Sequence, residues 1–279
     1  MALVAGLAPG LAAQGSRYRP PADFAAGGKA DQEKGARILS EFRSAGIPGD
    51  YWLEFELQVL PRTGPERTLK GQLFGSRNAL GPVTRLVLPG AGGLATEERW
   101  LIQSGAEPSA TRWSGATGAT ETLTTADAFA PVAGTDLTLF DLQMPFLYWP
   151  DFVYEGVARV RGRPASSFVL YPPPETVAAR PQLTGVRILI DVEFEALEEA
   201  SLLGPAGETV KTITILDLKK VGAQWMVKSI DLRNSTTRDK TRFTVTAAAT
   251  NLSLPAGTFA PSALADEAPA VPAAKIERF

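Results

Sequence analysis

Apolar and polar residues alternate along residues 51–60, which is the pattern of a strand with one buried face. The apolar positions are Tyr51, Leu53, Phe55, Leu57 and Val59. A second alternation covers residues 186–194. Its apolar positions are Val186, Ile188, Ile190, Val192 and Phe194. Both segments are predicted to be strands, and their apolar faces must be covered by other parts of the chain or by a ligand.

Two segments have helical spacing instead. Within residues 31–45, Ile38 and Phe42 fall on one face, Asp31 is suited to cap the start, and the helix is expected to end before Gly46. Residues 137–144 are mostly apolar and predict a second, short helix. The proline that follows, Pro145, is expected to kink or end it.

Further short strands are expected between turns that contain glycine or proline. They are predicted at 68–76, 83–89, 97–103, 110–114, 152–160, 165–171, 210–218, 224–234 and 241–250. Alternation over so many segments predicts one large antiparallel sheet. The predicted fold class is therefore α+β, and mainly β.

No repeat or composition change divides the core, so residues 31–260 are predicted to form one domain. Residues 15–30 are interpreted as a linker, and the Ala/Pro-rich residues 261–279 as a disordered tail. Residues 1–14 are apolar with small residues near their end, which is typical of a signal-peptide remnant, although a plain Ala/Gly-rich terminus is the alternative. A signal predicts a periplasmic or secreted protein. No uninterrupted apolar run is long enough to predict a membrane-spanning helix.

Composition narrows the possible chemistry. The 279 residues include 28 Lys plus Arg and 30 Asp plus Glu, a balance that argues against nucleic-acid binding. Histidine and cysteine are both absent. This excludes a Ser–His–Asp triad, a catalytic Cys–His pair and zinc sites built from histidine or thiolate. Neither a cofactor nor a metal is expected, and the protein is predicted not to be an enzyme.

Acidic residues are the remaining candidates for catalysis. Asp191, Glu193 and Glu195 are expected on one face of a strand, where they could bind Ca²⁺ or form a catalytic pair. The favoured interpretation is the solvated face of an amphipathic strand. The glycine-rich residues 90–93 lack the lysine of a phosphate-binding loop and are interpreted as a turn.

Aromatic residues suggest a different kind of site. Trp100 lies in a predicted strand, Phe140 in the second predicted helix and Phe146 just after it, with further aromatic residues at 148–154. They are compatible with ordinary core packing or with an apolar cavity for acyl chains.

Four segments of the chain resemble the outer-membrane lipoprotein-sorting proteins, the superfamily of the periplasmic lipoprotein carrier (LolA-like). These are the first helix with the strand that begins at Tyr51, the apolar residues 136–149 followed by 154–156, residues 225–234 leading into 240–245, and residues 251–259. The resemblance covers about 31–260, nearly all of the predicted core. It implies an incomplete, half-open antiparallel β-barrel with helices covering its concave face. Its better-known members are carriers that shelter lipoprotein acyl chains, and they are not enzymes.

The resemblance implies a periplasmic carrier of lipoprotein acyl chains or another amphiphile, involved in outer-membrane lipoprotein sorting. The expected partners are such lipids and an envelope receptor protein. The residues expected to line the cavity are Tyr51, Leu53, Phe55, Leu57, Trp100, Phe140, Phe146, Ile188, Ile190 and Val192. The alternatives are a non-catalytic structural or interaction module of the cell envelope, and a carboxylate-based hydrolase.

Overall fold

Antiparallel strands make up about half of the computed structural model, which describes residues 18–24, 30–90 and 93–279. The strands before the middle of the chain are β1 (Asp50–Leu60), β2 (Arg67–Asn78), β3 (Gly81–Gly90), β4 (Gly93–Gln103), β5 (Ser109–Ser114) and β6 (Ala119–Leu123). Those after it are β7 (Phe152–Val160), β8 (Arg163–Leu170), β9 (Gly185–Asp191), β10 (Leu197–Leu203), β11 (Thr209–Val221), β12 (Gln224–Asn234), β13 (Lys240–Leu252) and β14 (Glu277–Arg278). The predicted mainly-β fold is confirmed.

The strands form two meanders that join into one sheet. β1 to β6 follow one another as neighbours, and so do β7 to β13. The meanders meet where β1 pairs with β13, for example Leu57 opposite Phe243. β6 and β7 are the two edges of this path and do not close on each other. The sheet is thus the predicted half-open barrel.

The segment 124–151, called the crossover segment here, connects edge strand β6 to edge strand β7. Its only α-helix is α2 (Leu139–Gln143), beside short 3₁₀ turns in the same described segment. The side chains of Thr138 and Asp141 each accept a hydrogen bond from the other's backbone N–H, which caps the start of α2. Met144 adopts a left-handed conformation and Pro145 begins a 3₁₀ turn, so the helix ends where the sequence predicts.

The first predicted helix is also confirmed, as α1 (Gln32–Ser44). The Asp31 carboxylate accepts hydrogen bonds from the backbone N–H of Glu33 and of Lys34 at 3.0 and 3.1 Å. Gly35 packs against β7 so closely that an added Cβ would lie 2.3 Å from the Cβ of Tyr154. The glycine therefore permits a close helix–sheet contact, although it lowers helix propensity.

The main hydrophobic core lies between the crossover segment, α1 and the face of the sheet they cover, called the inner face here. Alternation in β1 sends Phe55 and Leu57 into this core. Leu39 of α1 and Phe140 of α2 meet them from the other side. One amphipathic sheet and two short helices thereby bury a continuous apolar layer.

Residues 261–279 correct the expectation of a disordered tail. They form 3₁₀ turns at Pro261–Ala265 and Ala273–Lys275, and β14 pairs with β13. Leu264 is fully buried. The physical reason is that the outer face of the sheet is apolar as well, with Trp52 and Phe74 packed against this segment.

The strand expected at 186–194 ends early, at Asp191. The Asp191 carboxylate accepts hydrogen bonds from the backbone N–H groups of Glu193 and Phe194, at 2.8 and 2.7 Å, and so turns the chain. Helix α3 (Pro174–Ala179) lies between β8 and β9.

Of the expected linker, residues 18–24 are described, and they are tied to the sheet. The Tyr171 hydroxyl donates to the Pro20 carbonyl oxygen at 2.8 Å, and Arg19 pairs with Asp151 at 2.7 Å. The signal-peptide remnant predicted at 1–14 lies outside the described residues. None of the helices in the described ranges combines the length and hydropathy needed to cross a membrane.

Candidate ligand-binding cavity

A cavity of about 260 Å³ lies between the inner face of the sheet and α2; we call it the inner cavity. Its volume exceeds the roughly 150 Å³ of an engineered apolar cavity that binds benzene, and it lies near the lower end of ligand-pocket sizes. Its lining comprises Ile47, Tyr51, Leu53, Phe55, Leu57, Leu73, Leu86, Leu137, Asp141, Leu142, Met144, Ile213, Met226, Val227, Ile230, Leu232 and Phe243. Almost all of these side chains are apolar, as in sites for acyl chains.

Strand register explains how residues far apart in sequence share this lining. Leu53 lies opposite Leu73 of β2, which lies opposite Leu86 of β3. Phe243 of β13 joins β1 to Ile230 of β12 in a second row, and its ring centroid is 4.7 Å from that of Phe55. Cross-strand neighbours on one face of a sheet lie side by side, so two rows of apolar side chains form the cavity floor.

Four of the predicted site residues line the inner cavity: Tyr51, Leu53, Phe55 and Leu57. Burial raises the pKa of the Tyr51 phenol, so this side chain is neutral over the physiological range. Single-strand alternation was sufficient to find these residues because all four belong to β1.

The other predicted residues lie elsewhere. Five of them are buried in the main core without lining this cavity: Trp100, Phe140, Phe146, Ile188 and Ile190. Val192 is 49% exposed in the turn after β9 and is not part of any apolar wall on the inner face. It was placed wrongly because the strand was expected to continue past Asp191.

Lining residues from β11 to β13 and α2 were missed, Ile213, Met226, Ile230 and Phe243 among them. Their strands were predicted, and the alternation was visible in the sequence. What the sequence did not reveal was that β13 pairs with β1, which brings the second meander beside the first.

Asp141 is the acidic residue in this apolar lining. Its Oδ2 accepts hydrogen bonds from the Thr138 backbone N–H at 2.8 Å and from the Thr138 hydroxyl at 2.7 Å. The Lys211 ammonium donates to the same Oδ2 and, at 2.5 Å, to the Asp136 carbonyl oxygen. These contacts connect α2 of the crossover segment to β11 of the second meander.

Arg43 connects the crossover segment to α1. Its guanidinium donates to the carbonyl oxygens of Leu147 and, at 3.1 Å, of Trp149 in the crossover segment. Burial lowers the pKa of Arg43 from its ordinary value, although an arginine remains charged. Arg77 of β2 in turn donates to the Arg43 carbonyl oxygen at 2.8 Å.

A second, larger space lies on the other side of α2, with a volume of about 500 Å³; we call it the crossover cleft. Its walls come from β5, the crossover segment and α3. The polar and small residues among its lining are Gly105, Ala106, Ser109, Thr124, Thr125, Gln143, Glu175 and Thr176. Such a lining is less suited to a bare hydrocarbon chain than the inner cavity is.

Two of the acidic residues considered for catalysis share one cation: Arg163 pairs with the Asp191 carboxylate at 2.8 Å and with that of Glu193 at 3.6 Å. Asp191 is buried, while Glu193 and Glu195 are exposed in the turn that follows. Burial opposes ionisation of Asp191, but the hydrogen bonds from Phe194 and Glu193 and the charge of Arg163 together hold its pKa below the ordinary value. Its carboxylate therefore stabilises a turn. Among the described residues, no group of three or more acidic side chains is placed to hold a metal ion.

Solved structures show which fold this is. The chain is similar to a domain described as an outer membrane lipoprotein-sorting protein from Vibrio parahaemolyticus, with 16% identity, a TM-score of 0.73 and coverage of 84% of this chain and 100% of that one. A DUF1329 family protein from Desulfovibrio piger has 14% identity, a TM-score of 0.72 and coverage of 83% and 98%. A LolA superfamily protein from Nitrosomonas europaea has 10% identity, a TM-score of 0.61 and coverage of 80% and 96%.

These likenesses confirm that the chain has the fold of the LolA-like superfamily, as the sequence resemblance predicts. Neither a protein-family model nor a curated protein matches the sequence. The likeness covers nearly the whole of each solved chain and at least 80% of this one.

Proposed function

We propose that this protein is a non-enzymatic carrier of the bacterial cell envelope that shelters an acyl chain of a lipoprotein, or of another amphiphile, in the inner cavity. The observation that carries this proposal is an apolar space of about 260 Å³ bounded by the sheet and α2. The solved structures of the same fold include one described as lipoprotein-sorting, which supports a role in outer-membrane lipoprotein sorting.

The energetics favour a hydrocarbon ligand. Each buried methylene group contributes about 0.8 kcal/mol, so a five-carbon segment gains about 4 kcal/mol. Tyr51, Leu53, Phe55 and Leu57 are the proposed contacts from β1. The cavity volume fits one chain or part of one, and further chains require the cover to move. A receptor that binds the moved cover more tightly then promotes release.

Two further observations support a carrier rather than an enzyme. The sequence has neither histidine nor cysteine. The buried carboxylate Asp191 is already used by the turn after β9. We propose a periplasmic location because an acyl carrier of this fold works between two membranes, and we propose that the signal-like residues 1–14 direct export.

Displacement of the fluorescent reporter N-phenyl-1-naphthylamine by dodecan-1-ol tests the proposal, together with native mass spectrometry of protein purified from a bacterial envelope. We expect saturable displacement and a lipid adduct. Ile230→Trp fills the inner cavity and is expected to weaken binding at least about tenfold, which is 1.4 kcal/mol. The matched control Thr125→Trp adds the same side chain to the crossover cleft and is expected to leave binding unchanged.

If no reporter binds and no lipid copurifies, the alternative of a non-catalytic structural or interaction module of the envelope is favoured. Equal loss of binding in both tryptophan variants would contradict the assignment to the inner cavity.

A further inference from the structure

The two edge strands of the sheet, β6 and β7, differ in how their free edges are protected. At β7, the Gln32 carboxamide of α1 accepts a hydrogen bond from the Tyr154 backbone N–H at 2.9 Å and donates one to the Tyr154 carbonyl oxygen at 2.8 Å. The side chain thereby occupies both backbone groups, as a neighbouring strand would. The register of β7 is also irregular between Tyr154 and Gly156, and such bulges disfavour pairing with a further strand. The edge at β7 is therefore blocked.

The other edge, β6 (Ala119–Leu123), is regular and open. It pairs with β5 in an unbroken register over all five residues, and its first four residues are exposed. Its sequence contains neither lysine nor proline, the residues that often prevent pairing at an edge. The one charged side chain, Glu121, accepts a hydrogen bond from Arg112 of β5 at 2.8 Å. A regular open edge offers its backbone to another chain.

The pairing of β5 shows which backbone groups of β6 point outward. The Gly115 N–H donates to a carbonyl oxygen of β4 at 2.9 Å. Successive residues of an antiparallel strand bond to opposite sides, so Arg112 bonds toward β6, where its partner is Glu121. The neighbours of Glu121, Thr120 and Thr122, then direct their N–H and C=O groups away from the sheet. These exposed groups match the pairing groups of an added antiparallel strand.

The surroundings of this edge are acidic. The crossover cleft begins at Leu123, the last residue of β6, and Glu175 is the one charged residue in its lining. Glu107 and Asp127 are exposed in the loops beside it. Within the described ranges, none of these three carboxylates has an ion-pair partner. Against them stands one arginine, Arg180 at the end of α3, so this side of the molecule favours cations.

We propose that β6 is a docking edge for an extended segment of a protein partner that contains lysine or arginine and adds a strand antiparallel to β6. The outward backbone groups of Thr120 and Thr122 supply the pairing, and the acidic side chains around the cleft favour the basic residues. A second copy of this chain fits less well, because β6 paired with itself about Glu121 places two carboxylates opposite each other. The proposal is independent of the carrier function, since β6 does not line the inner cavity.

Hydrogen exchange of the full chain, followed through its amide NMR signals, tests this docking. The probe is a peptide of eight alternating lysine and valine residues with both ends blocked. At saturation it is expected to slow exchange at Thr120 and Thr122 at least about tenfold, which is 1.4 kcal/mol. The Tyr154 amide in the blocked edge is expected to stay unchanged. A peptide of alternating glutamate and valine is expected to leave all three amides as they are in the free protein.

A proline in β6 separates backbone pairing from charge attraction. Thr122→Pro removes an outward N–H and leaves the hydrogen bonds to β5 in place, because proline is tolerated where the N–H faces solvent. It is expected to weaken binding of the lysine peptide at least about tenfold. The matched control Thr122→Val retains the N–H and the branched side chain, and is expected to bind as the wild-type protein does. Should Thr122→Pro fail to fold, the exchange pattern of the wild-type protein decides alone.

Unchanged exchange at Thr120 and Thr122 in the presence of the lysine peptide overturns the proposal. Equal protection by the glutamate peptide overturns the basic character of the partner. Protection that appears without peptide and rises with protein concentration, together with a dimer in analytical ultracentrifugation, assigns the edge to a second copy of this chain instead. Each of these outcomes leaves the carrier function standing.

Discussion

The inner cavity and the crossover cleft share one wall, the five-residue helix α2, and differ in almost everything else. The cleft is about twice as large, about 500 against 260 Å³. Helical spacing turns Leu139, Phe140 and Gln143 toward the cleft, and Asp141 and Leu142 toward the cavity. Volume alone would favour the cleft, whereas continuous apolar walls favour the inner cavity, which is the proposed acyl site.

The difference has its origin in the sheet. The inner cavity lies over the middle, where β1 and β13 pair and every strand has neighbours on both sides. The crossover cleft lies near the edge strand β6, where loops and α3 form the walls. Unpaired edges and loops leave backbone polar groups that need polar neighbours, so a cleft there is less apolar.

The largest expected effect contrasts the two faces of α2. Phe140→Ala removes a fully buried ring that stacks on Phe129 at 4.8 Å and touches two further aromatic rings, at a cost of about 3–5 kcal/mol. Leu142→Ala removes a half-buried side chain that borders empty space, and about 1 kcal/mol is expected. Urea unfolding measures both. Equal losses would show that the two faces of α2 are packed alike.

Sequence reasoning worked where the determinants are local. The alternation of β1, the Asp31 cap and the Pro145 stop all depend on neighbours within a few residues, and each was predicted. It failed where a distant segment decides. Trp52 points to the outer face, and the cluster that buries it includes Val271 and Ile276, which are far away in sequence.

The lining of the inner cavity likewise depends on contacts between distant segments, which the sequence does not reveal. Strand alternation marks Leu57 as inward, but nothing near it in sequence indicates that Phe243 is its neighbour. The ion pair between Lys211 of β11 and Asp141 of α2 likewise joins segments far apart in sequence, and composition and spacing do not encode it.

The free energy of unfolding with and without ligand also distinguishes the inner cavity from the crossover cleft. A ligand that binds only the folded protein stabilises it by about 2.7 kcal/mol when its free concentration is a hundred times its Kd. We expect this gain with dodecan-1-ol for the wild-type protein and for Thr125→Trp, because residue 125 lines the cleft and not the proposed site. Ile230→Trp is expected to lose it at the same ligand concentration. Urea unfolding with and without the alcohol gives the values, and a gain in Ile230→Trp would contradict the assignment.

A substitution at Arg43 is expected to loosen the walls of the crossover cleft and to leave the inner cavity intact. Arg43→Met removes the hydrogen bonds to the Leu147 and Trp149 carbonyl oxygens, which belong to the side of the crossover segment that faces the cleft. A loss of about 1–2 kcal/mol is expected. Amide hydrogen exchange should accelerate at 145–149 and remain slow in β1. The control Arg37→Met changes an exposed arginine of the same helix, and exchange that rises uniformly in Arg43→Met would argue against a local latch.

The smallest expected effect is an acid dependence confined to the cleft. Asp127 accepts hydrogen bonds from the Thr124 hydroxyl at 2.6 Å and from the Thr124 backbone N–H at 2.8 Å, and these hold the pKa of its carboxyl below the ordinary value. Because the pKa of Asp127 is lower in the folded protein than in the unfolded chain, the ionised carboxylate stabilises the turn at any pH above the unfolded pKa. This stabilisation is lost as the pH falls through the folded pKa. The Thr124 amide resonance in NMR spectra should therefore shift at acidic pH, well below neutrality. Asp127→Asn should abolish the shift, while Glu107→Gln, in the neighbouring loop, should preserve it.

Thr124 lines the cleft and not the inner cavity. Reporter binding to the inner cavity should therefore stay constant across this titration as long as the protein remains folded. A parallel loss of binding would mean that the two spaces are coupled through α2.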